Sequence, residues 1–187
     1  MKITPPSTFI REILIDQATL QARIAALGAE ISRDYAGQDL LLVCILRGGV
    51  VFLTDLMRAL SIPHQIDFMA VSSYGAGARE STGRVRISYD LHTDIHDRHV
   101  LLVEDIIDSG YTLKTVMELL QTRHPRSLQI CTLLDKTERR QVAISIAYTG
   151  FQIPDEFVFG YGLDIDEYYR ELPYIAAVDP ARYTPPE

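Results

Sequence analysis

Glu104 and Asp105 close an apolar run, Val100 to Val103, and Asp108 follows two further apolar residues. Directly after them comes Ser109-Gly110-Tyr111-Thr112, where a helical pattern opens and continues to about Thr122. In open α/β sheets, ligands bind beyond the carboxyl ends of the strands. A helix start placed there offers free backbone N–H groups to a phosphate. Gly110 lets the backbone approach such a group, and Ser109 and Thr112 add hydroxyl donors. The acids would repel a bare anion. They fit a ligand in which sugar hydroxyls and a hard divalent cation, which prefers oxygen donors, lie between. One acid here would be an ordinary partner for the helix dipole. Three acids ending a buried strand ahead of S-G-x-T require more than that.

Other segments carry chemistry at similar places. Ile45-Leu46-Arg47-Gly48-Gly49 ends an apolar strand and turns sharply, a generic connection that also brings a guanidinium to the strand end. Leu133-Leu134-Asp135-Lys136 ends another strand on a lysine, which would ordinarily be a solvated surface residue. The run from Pro154 to Leu172, PDEFVFGYGLDIDEYYREL, is rich in aromatics and acids. Core packing accounts for Phe159 and Tyr161 but not for the whole pattern. From Ser73 to Gly83 the chain is glycine-rich and charged without periodicity, which reads as a long mobile loop; loops of this length are usually functional.

The elements that must position these residues alternate. Apolar residues at Leu20, Ile24, Leu27, Ile31 and Tyr35 predict a helix over Asp16 to Tyr35. Leu40 to Leu46 reads as a buried strand, Val50 to Leu60 as a helix, and Ile66 to Ser72 and Val85 to Tyr89 as strands. His99 to Ile107, Leu128 to Leu134, Ala143 to Tyr148, Phe157 to Tyr161 and Tyr174 to Val178 are further expected strands. Alternating strands and helices predict one α/β domain over residues 1–187, built on a mainly parallel sheet. The 187 residues suffice for a substantial core, and 47% hydrophobic with 23% charged residues is a globular composition. A net charge of −7 argues against a nucleic-acid partner. Cys44 and Cys131 sit in apolar runs and read as buried thiols. The N-terminal residues have no signal-peptide core and no apolar run could span a bilayer, so a cytoplasmic protein is expected. The histidines show no metal-ligand spacing.

The run VLLVEDIIDSGYT resembles the phosphoribosyl pyrophosphate signature of the type I phosphoribosyltransferases: apolar strand, two acids, two apolar residues, Asp, Ser or Thr, Gly, any residue, Thr. The segment from Pro154 to Leu172 resembles the hypoxanthine–guanine branch of that family, and the likeness extends from about Ile10 to Val178. It implies the type I fold, with a small hood formed by the N- and C-terminal segments, and transfer of a ribose 5-phosphate to a 6-oxopurine with Mg2+. Arg47, Gly48, Ser73, Tyr74, Glu104, Asp105, Ser109, Gly110, Tyr111, Thr112 and Arg170 would bind phosphoribosyl pyrophosphate, although Tyr111 fills the variable place in the motif. Arg47 stands where lysine is frequent, and a cis peptide is implied at Arg47–Gly48. Asp108 would be the general base at the purine N7. Lys136 would donate to the purine O6, Phe157 would stack on the base and the Val158 backbone would face its edge. Glu104 and Asp105 would orient metal, and Asp164, beside the base, would hold a second magnesium through water. Ser73 to Gly83 would be a lid over pyrophosphate. A homodimer or homotetramer is expected. Rival readings are a xanthine-preferring transferase, which the Phe157 to Arg170 match opposes, and a phosphoribosyl pyrophosphate-binding transcription regulator, which scattered basic residues and the presence of Asp108 oppose.

Overall fold

A computed structural model describes residues 4–73 and 85–185, excluding the side chains of Ser72, Ser73 and Val85. Nine strands and three helices are arranged as two sheets among these residues. The strands are β1 (Ile10–Ile15), β2 (Leu40–Leu46), β3 (His64–Ser73), β4 (Val85–Tyr89), β5 (His99–Ile107), β6 (Ser127–Asp135), β7 (Tyr148–Gln152), β8 (Val158–Phe159) and β9 (Ile175–Val178). The helices are α1 (Gln17–Asp34), α2 (Val50–Ala59) and α3 (Tyr111–Gln121).

The larger sheet runs β4-β3-β2-β5-β6-β7. All its pairings are parallel except β3 with β4. Its central strands are apolar along their length because both faces are covered. Leu42, Cys44, Leu101 and Val103 face α1 and α2, while Leu41, Val43, Val100 and Leu102 face α3. Helix α1 starts where Asp16 Oδ1 accepts a hydrogen bond from Thr19 N at 2.8 Å, an N-cap that satisfies a donor the helix cannot. It buries Leu20, Ile24, Leu27 and Ile31, as its periodicity requires.

The smaller sheet, β1-β9-β8, is antiparallel and joins the two ends of the chain. Its core is aromatic: the Phe9 ring lies 5.3 Å from Phe159, 5.4 Å from Tyr169 and 5.0 Å from Tyr183. The short run of β1 carries no decisive alternation, and only pairing with β9 fixes it as a strand.

Two expected strands shift. The Ala143 to Tyr148 segment alternates like a strand, yet pairing begins only at Tyr148. Ile144 and Ile146 instead pack toward the α3 side of the core. The strand expected over Phe157 to Tyr161 shortens to Val158–Phe159, because Gly160, Tyr161 and Gly162 all turn at positive φ.

Register places the site. Leu46 pairs with Ala70, Cys44 with Val103, and Ile107 with Asp135. The residues following β2, β5 and β6, namely Arg47, Asp108 and Lys136, therefore emerge along one edge.

Gly28 shows how closely the supporting helices pack. A Cβ added there would lie 2.6 Å from the Ala59 carbonyl oxygen of α2. Helix propensity alone favours alanine over glycine by about 1 kcal/mol; overpacking typically costs about 1–3 kcal/mol. Gly28→Ala should therefore lower Tm in thermal unfolding, and an unchanged or raised Tm would contradict this close contact.

Candidate active site

Glu104 and Asp105 lie in the last four residues of β5, beyond its fully buried stretch Val100 to Val103. Their carboxyls point inward although each residue keeps some solvent exposure. Glu104 Oε2 is buried with no hydrogen-bond partner among the described residues. Burial, and repulsion from Asp105, hold the Glu104 carboxyl well above the usual range. Burial pushes Asp105 up to about 6, against hydrogen bonds from backbone N–H groups including that of Ile106. Arg170 draws the Asp105 value down and Asp164 raises it, so these three groups feel one another.

The loop after β2 lies directly on Asp105. A Cβ on Gly48 would come 1.5 Å from Asp105 Oδ2, so any larger residue would push the carboxylate out of this position. The cis peptide is Leu46–Arg47, one bond earlier than expected. This corrects the Arg47–Gly48 assignment: the glycine answers to contact with Asp105. On the far side, a Cβ on Gly162 would lie 2.2 Å from the Gly48 carbonyl oxygen. Two successive glycine contacts thus seat the 160–170 segment on the Arg47 loop.

That segment folds through two tight bridges, Gly160 with Leu163 and Ile165 with Tyr168. Asp164 Oδ2 accepts from Glu167 N at 2.9 Å. Arg170 donates to the Gly162 carbonyl at 2.7 Å and pairs with Asp164 at 2.8 Å. Arg47 reaches across to Glu167 at 2.6 Å.

Asp108 leads into the start of α3. Gly110 caps the helix at φ 87°, in the left-handed region that glycine tolerates best. A Cβ there would also lie 2.7 Å from Ile144 Cδ1. The first turn begins at Tyr111 and Thr112, and its N–H groups have no acceptor within the helix. Asp108 Oδ1 lies 2.9 Å from Arg139 Nε, close enough for an ion pair but without hydrogen-bond alignment.

Beside Asp108, Lys136 is buried at the end of β6, 6% exposed, and its N–H donates to the Ile107 carbonyl at 3.0 Å. Its ammonium is 3.7 Å from Asp155 Oδ1. An ammonium carries three donors, more than that one carboxylate can use. Asp155 also accepts from Arg139 at 3.3 Å, linking Lys136 to Asp108 through alternating charges. Next along the chain, Phe157 is 60% exposed, an unusual position for phenylalanine, while Val158 is buried. The Phe157 carbonyl is pinned by Val178 N at 2.9 Å.

The structure thus gathers Glu104, Asp105, Arg47, Gly48, Asp164 and Arg170 on one side, and Asp108, Lys136, Phe157 and Val158 on the other. The backbone of Ser73 ends β3; its side chain, Tyr74 and the expected lid over Ser73 to Gly83 lie outside the described residues. Sequence reasoning missed Arg139, Asp155 and Glu167. The Arg139-Arg140 pair after Lys136 was a faint signal for the first. The other two are loop acids that nothing in the sequence distinguishes from solvated ones.

The fold and these strand ends define a class. Residues 12–166 match the phosphoribosyl transferase domain family. The chain belongs to the phosphoribosyltransferase family. It is 53% identical over 180 residues to the hypoxanthine-guanine phosphoribosyltransferase of Mycobacterium avium, covering 93% of this chain and 88% of that one. It is 51% identical over 169 residues to the hypoxanthine phosphoribosyltransferase of Escherichia coli K12, covering 89% and 94%. A crystal structure of a hypoxanthine phosphoribosyltransferase from Staphylococcus aureus superposes with a TM-score of 0.90 at 46% identity, covering 94% and 95%. These similarities place the chain on the hypoxanthine–guanine branch.

The buried acids have a stability consequence. Asp105 titrates near 6 when folded, against an ordinary 3.8. Between those values the folded protein binds more protons, so stability falls as pH rises through this window and is constant above it. Asp105→Asn keeps the oxygen that accepts from Ile106 N and removes the charge. It should raise the Tm of the ligand-free protein at pH 7.5 by about 2–4 °C, with the gain shrinking toward pH 4. Equal Tm values for the variant and the parent across pH 4–8 would show that the carboxylate carries no such cost.

Proposed function

We propose that this chain carries out purine salvage as a hypoxanthine–guanine phosphoribosyltransferase, converting hypoxanthine or guanine and phosphoribosyl pyrophosphate to the nucleotide and pyrophosphate. Purine N9 attacks C1 of the ribose as pyrophosphate leaves, through a transition state with oxocarbenium character. The observation that carries this reading is the meeting of a phosphate-competent helix start, two buried carboxyls, of which Glu104 has an oxygen without a partner, and a buried lysine along one sheet edge.

The first turn of α3, with Ser109, Gly110, Tyr111 and Thr112, would hold the 5-phosphate through backbone and hydroxyl donors. Glu104 and Asp105 would accept from the ribose hydroxyls. They also suit a hard cation: a buried carboxylate oxygen without a partner and a mutually repelling acid pair both need countercharge. Magnesium characteristically binds through one or two carboxylates together with substrate oxygens. Glu104 and Asp105 would hold that ion, and Asp164 a second one through water. Bound magnesium would neutralise charge building on the departing pyrophosphate.

Arg47 and Arg170 would receive pyrophosphate, stabilising negative charge where it develops. Asp108 would take the N7 proton, freeing electron density for attack from N9. Lys136 would donate to O6, selecting 6-oxopurines, with Phe157 stacked on the ring. A homodimer or homotetramer in the cytoplasm completes the reading. The net charge of −7 and two buried free thiols suit it, and among the described residues no helix is long and apolar enough to cross a membrane.

Steady-state rates with hypoxanthine, guanine, xanthine and adenine, each with phosphoribosyl pyrophosphate and Mg2+, test the assignment; a preference for adenine or xanthine would overturn it. Asp108→Asn should lower kcat by about 10²-fold or more with phosphoribosyl pyrophosphate affinity nearly intact. Turnover close to the parent would remove Asp108 from proton transfer. Lys136→Ala should weaken 6-oxopurine use by about 1–3 kcal/mol in kcat/KM, the cost of an unpaired polar group. A variant that loses only thermal stability would show that Lys136 does not read O6.

A further inference from the structure

The two arginines assigned to pyrophosphate share a carboxylate. Glu167 Oε1 lies 2.6 Å from Arg47 Nη2, and Glu167 Oε2 lies 3.4 Å from Arg170 Nη2. Arg170 already has Asp164 at 2.8 Å and the Gly162 carbonyl at 2.7 Å, so Glu167 is the second acid on that guanidinium. Arg47 comes from the loop after β2, and Arg170 from beyond the turn that holds Glu167. The carboxylate therefore bridges the two segments that Gly48 and Gly162 press together.

The backbone fixes this arrangement. Glu167 stands at φ 73°, a left-handed conformation unusual for a glutamate, and its N–H is held by Asp164 Oδ2 at 2.9 Å. Its two oxygens present the same chemistry as one end of a phosphate: an anionic pair that accepts from more than one guanidinium. Arg47 and Arg170 balance Asp164 and Glu167, so this cluster has no net positive charge. An anion arriving there meets cations that are already compensated.

We propose that Glu167 sets the affinity of the pyrophosphate subsite as a built-in counter-ion, which pyrophosphate must displace from Arg47 and Arg170 and which returns to them when it leaves. This rests on Arg47 and Arg170 being the pyrophosphate ligands. The carboxylate opposes tight product binding, and its return spares the departing anion the cost of leaving two bare guanidiniums. Asp164 is excluded from this role because its second oxygen is engaged with the Glu167 backbone.

Calorimetric titration of the full-length protein with pyrophosphate at saturating Mg2+ tests the idea by its sign. Glu167→Gln keeps the side-chain shape and removes the charge. Glu167→Gly removes the side chain and suits the positive φ, so it guards against a folding artefact. Both should bind pyrophosphate about two- to tenfold more tightly, the scale expected of exposed ion pairs, and the gain should shrink as salt rises. Arg47→Gln, measured alongside, should weaken binding. Unchanged or weaker affinity in both Glu167 variants, with Arg47→Gln still weakened, would overturn the counter-ion role and leave the subsite standing. No weakening in Arg47→Gln would overturn the subsite, and this inference with it.

Discussion

Two carboxylates buried side by side at the end of β5 are the constraint on which the rest of the site depends. Among the described residues Glu104 Oε2 has no hydrogen-bond partner, and Asp105 is held at an elevated pKa beside it. A fold driven by stability alone would place apolar or paired residues here, since uncompensated buried charge is among the costliest features a core can carry. The strand retains them because it is anchored on both faces by apolar layers, which hold the strand end where solvent cannot relax it. Under the proposed function, ribose hydroxyls and a magnesium ion would supply the donors and positive charge that these carboxyls lack among the described residues.

The glycines follow from that choice. Gly48 exists so that a loop can lie against Asp105, and Gly162 so that the next segment can lie against Gly48. Arg47, Asp164 and Arg170 are thereby brought to the acids through backbone contact, which places them more firmly than long flexible side chains could place themselves. Lys136 and Asp108 arrive by a separate route, the β5–β6 register. Charge alternates throughout: Lys136, Asp155, Arg139 and Asp108 form one chain, and Arg47, Glu167, Arg170 and Asp164 another. Exposed pairs of this kind contribute little stability individually. Their value lies in holding several charged groups ready in a ligand-free site.

The sequence revealed the parts governed by short-range rules. The helix stripe from Leu20 to Ile31, the apolar strands β2 and β5, and the run from Glu104 to Thr112 were readable because each pattern is dictated locally. What escaped depends on distant partners. β1 becomes a strand only by pairing with β9. The segment around Ile144 alternates correctly for a strand but is drawn away to cover Gly110 and the flank of α3. Glu167 and Asp155 look like solvated loop acids until the fold delivers an arginine or a lysine to them. The motif marks the loop without saying which of its bonds is cis, and that bond is Leu46–Arg47.

The hood has a further consequence in the order of synthesis. Ile10 pairs with Val178, and Val178 also fixes the Phe157 carbonyl. The large sheet, with its acids and phosphate-competent helix start, needs nothing beyond Gln152 to form its strands. The platform for the aromatic ring needs β9. A chain emerging from the ribosome therefore presents every strand of the large sheet before β9, and β1 stays without its small-sheet partner until β9 follows.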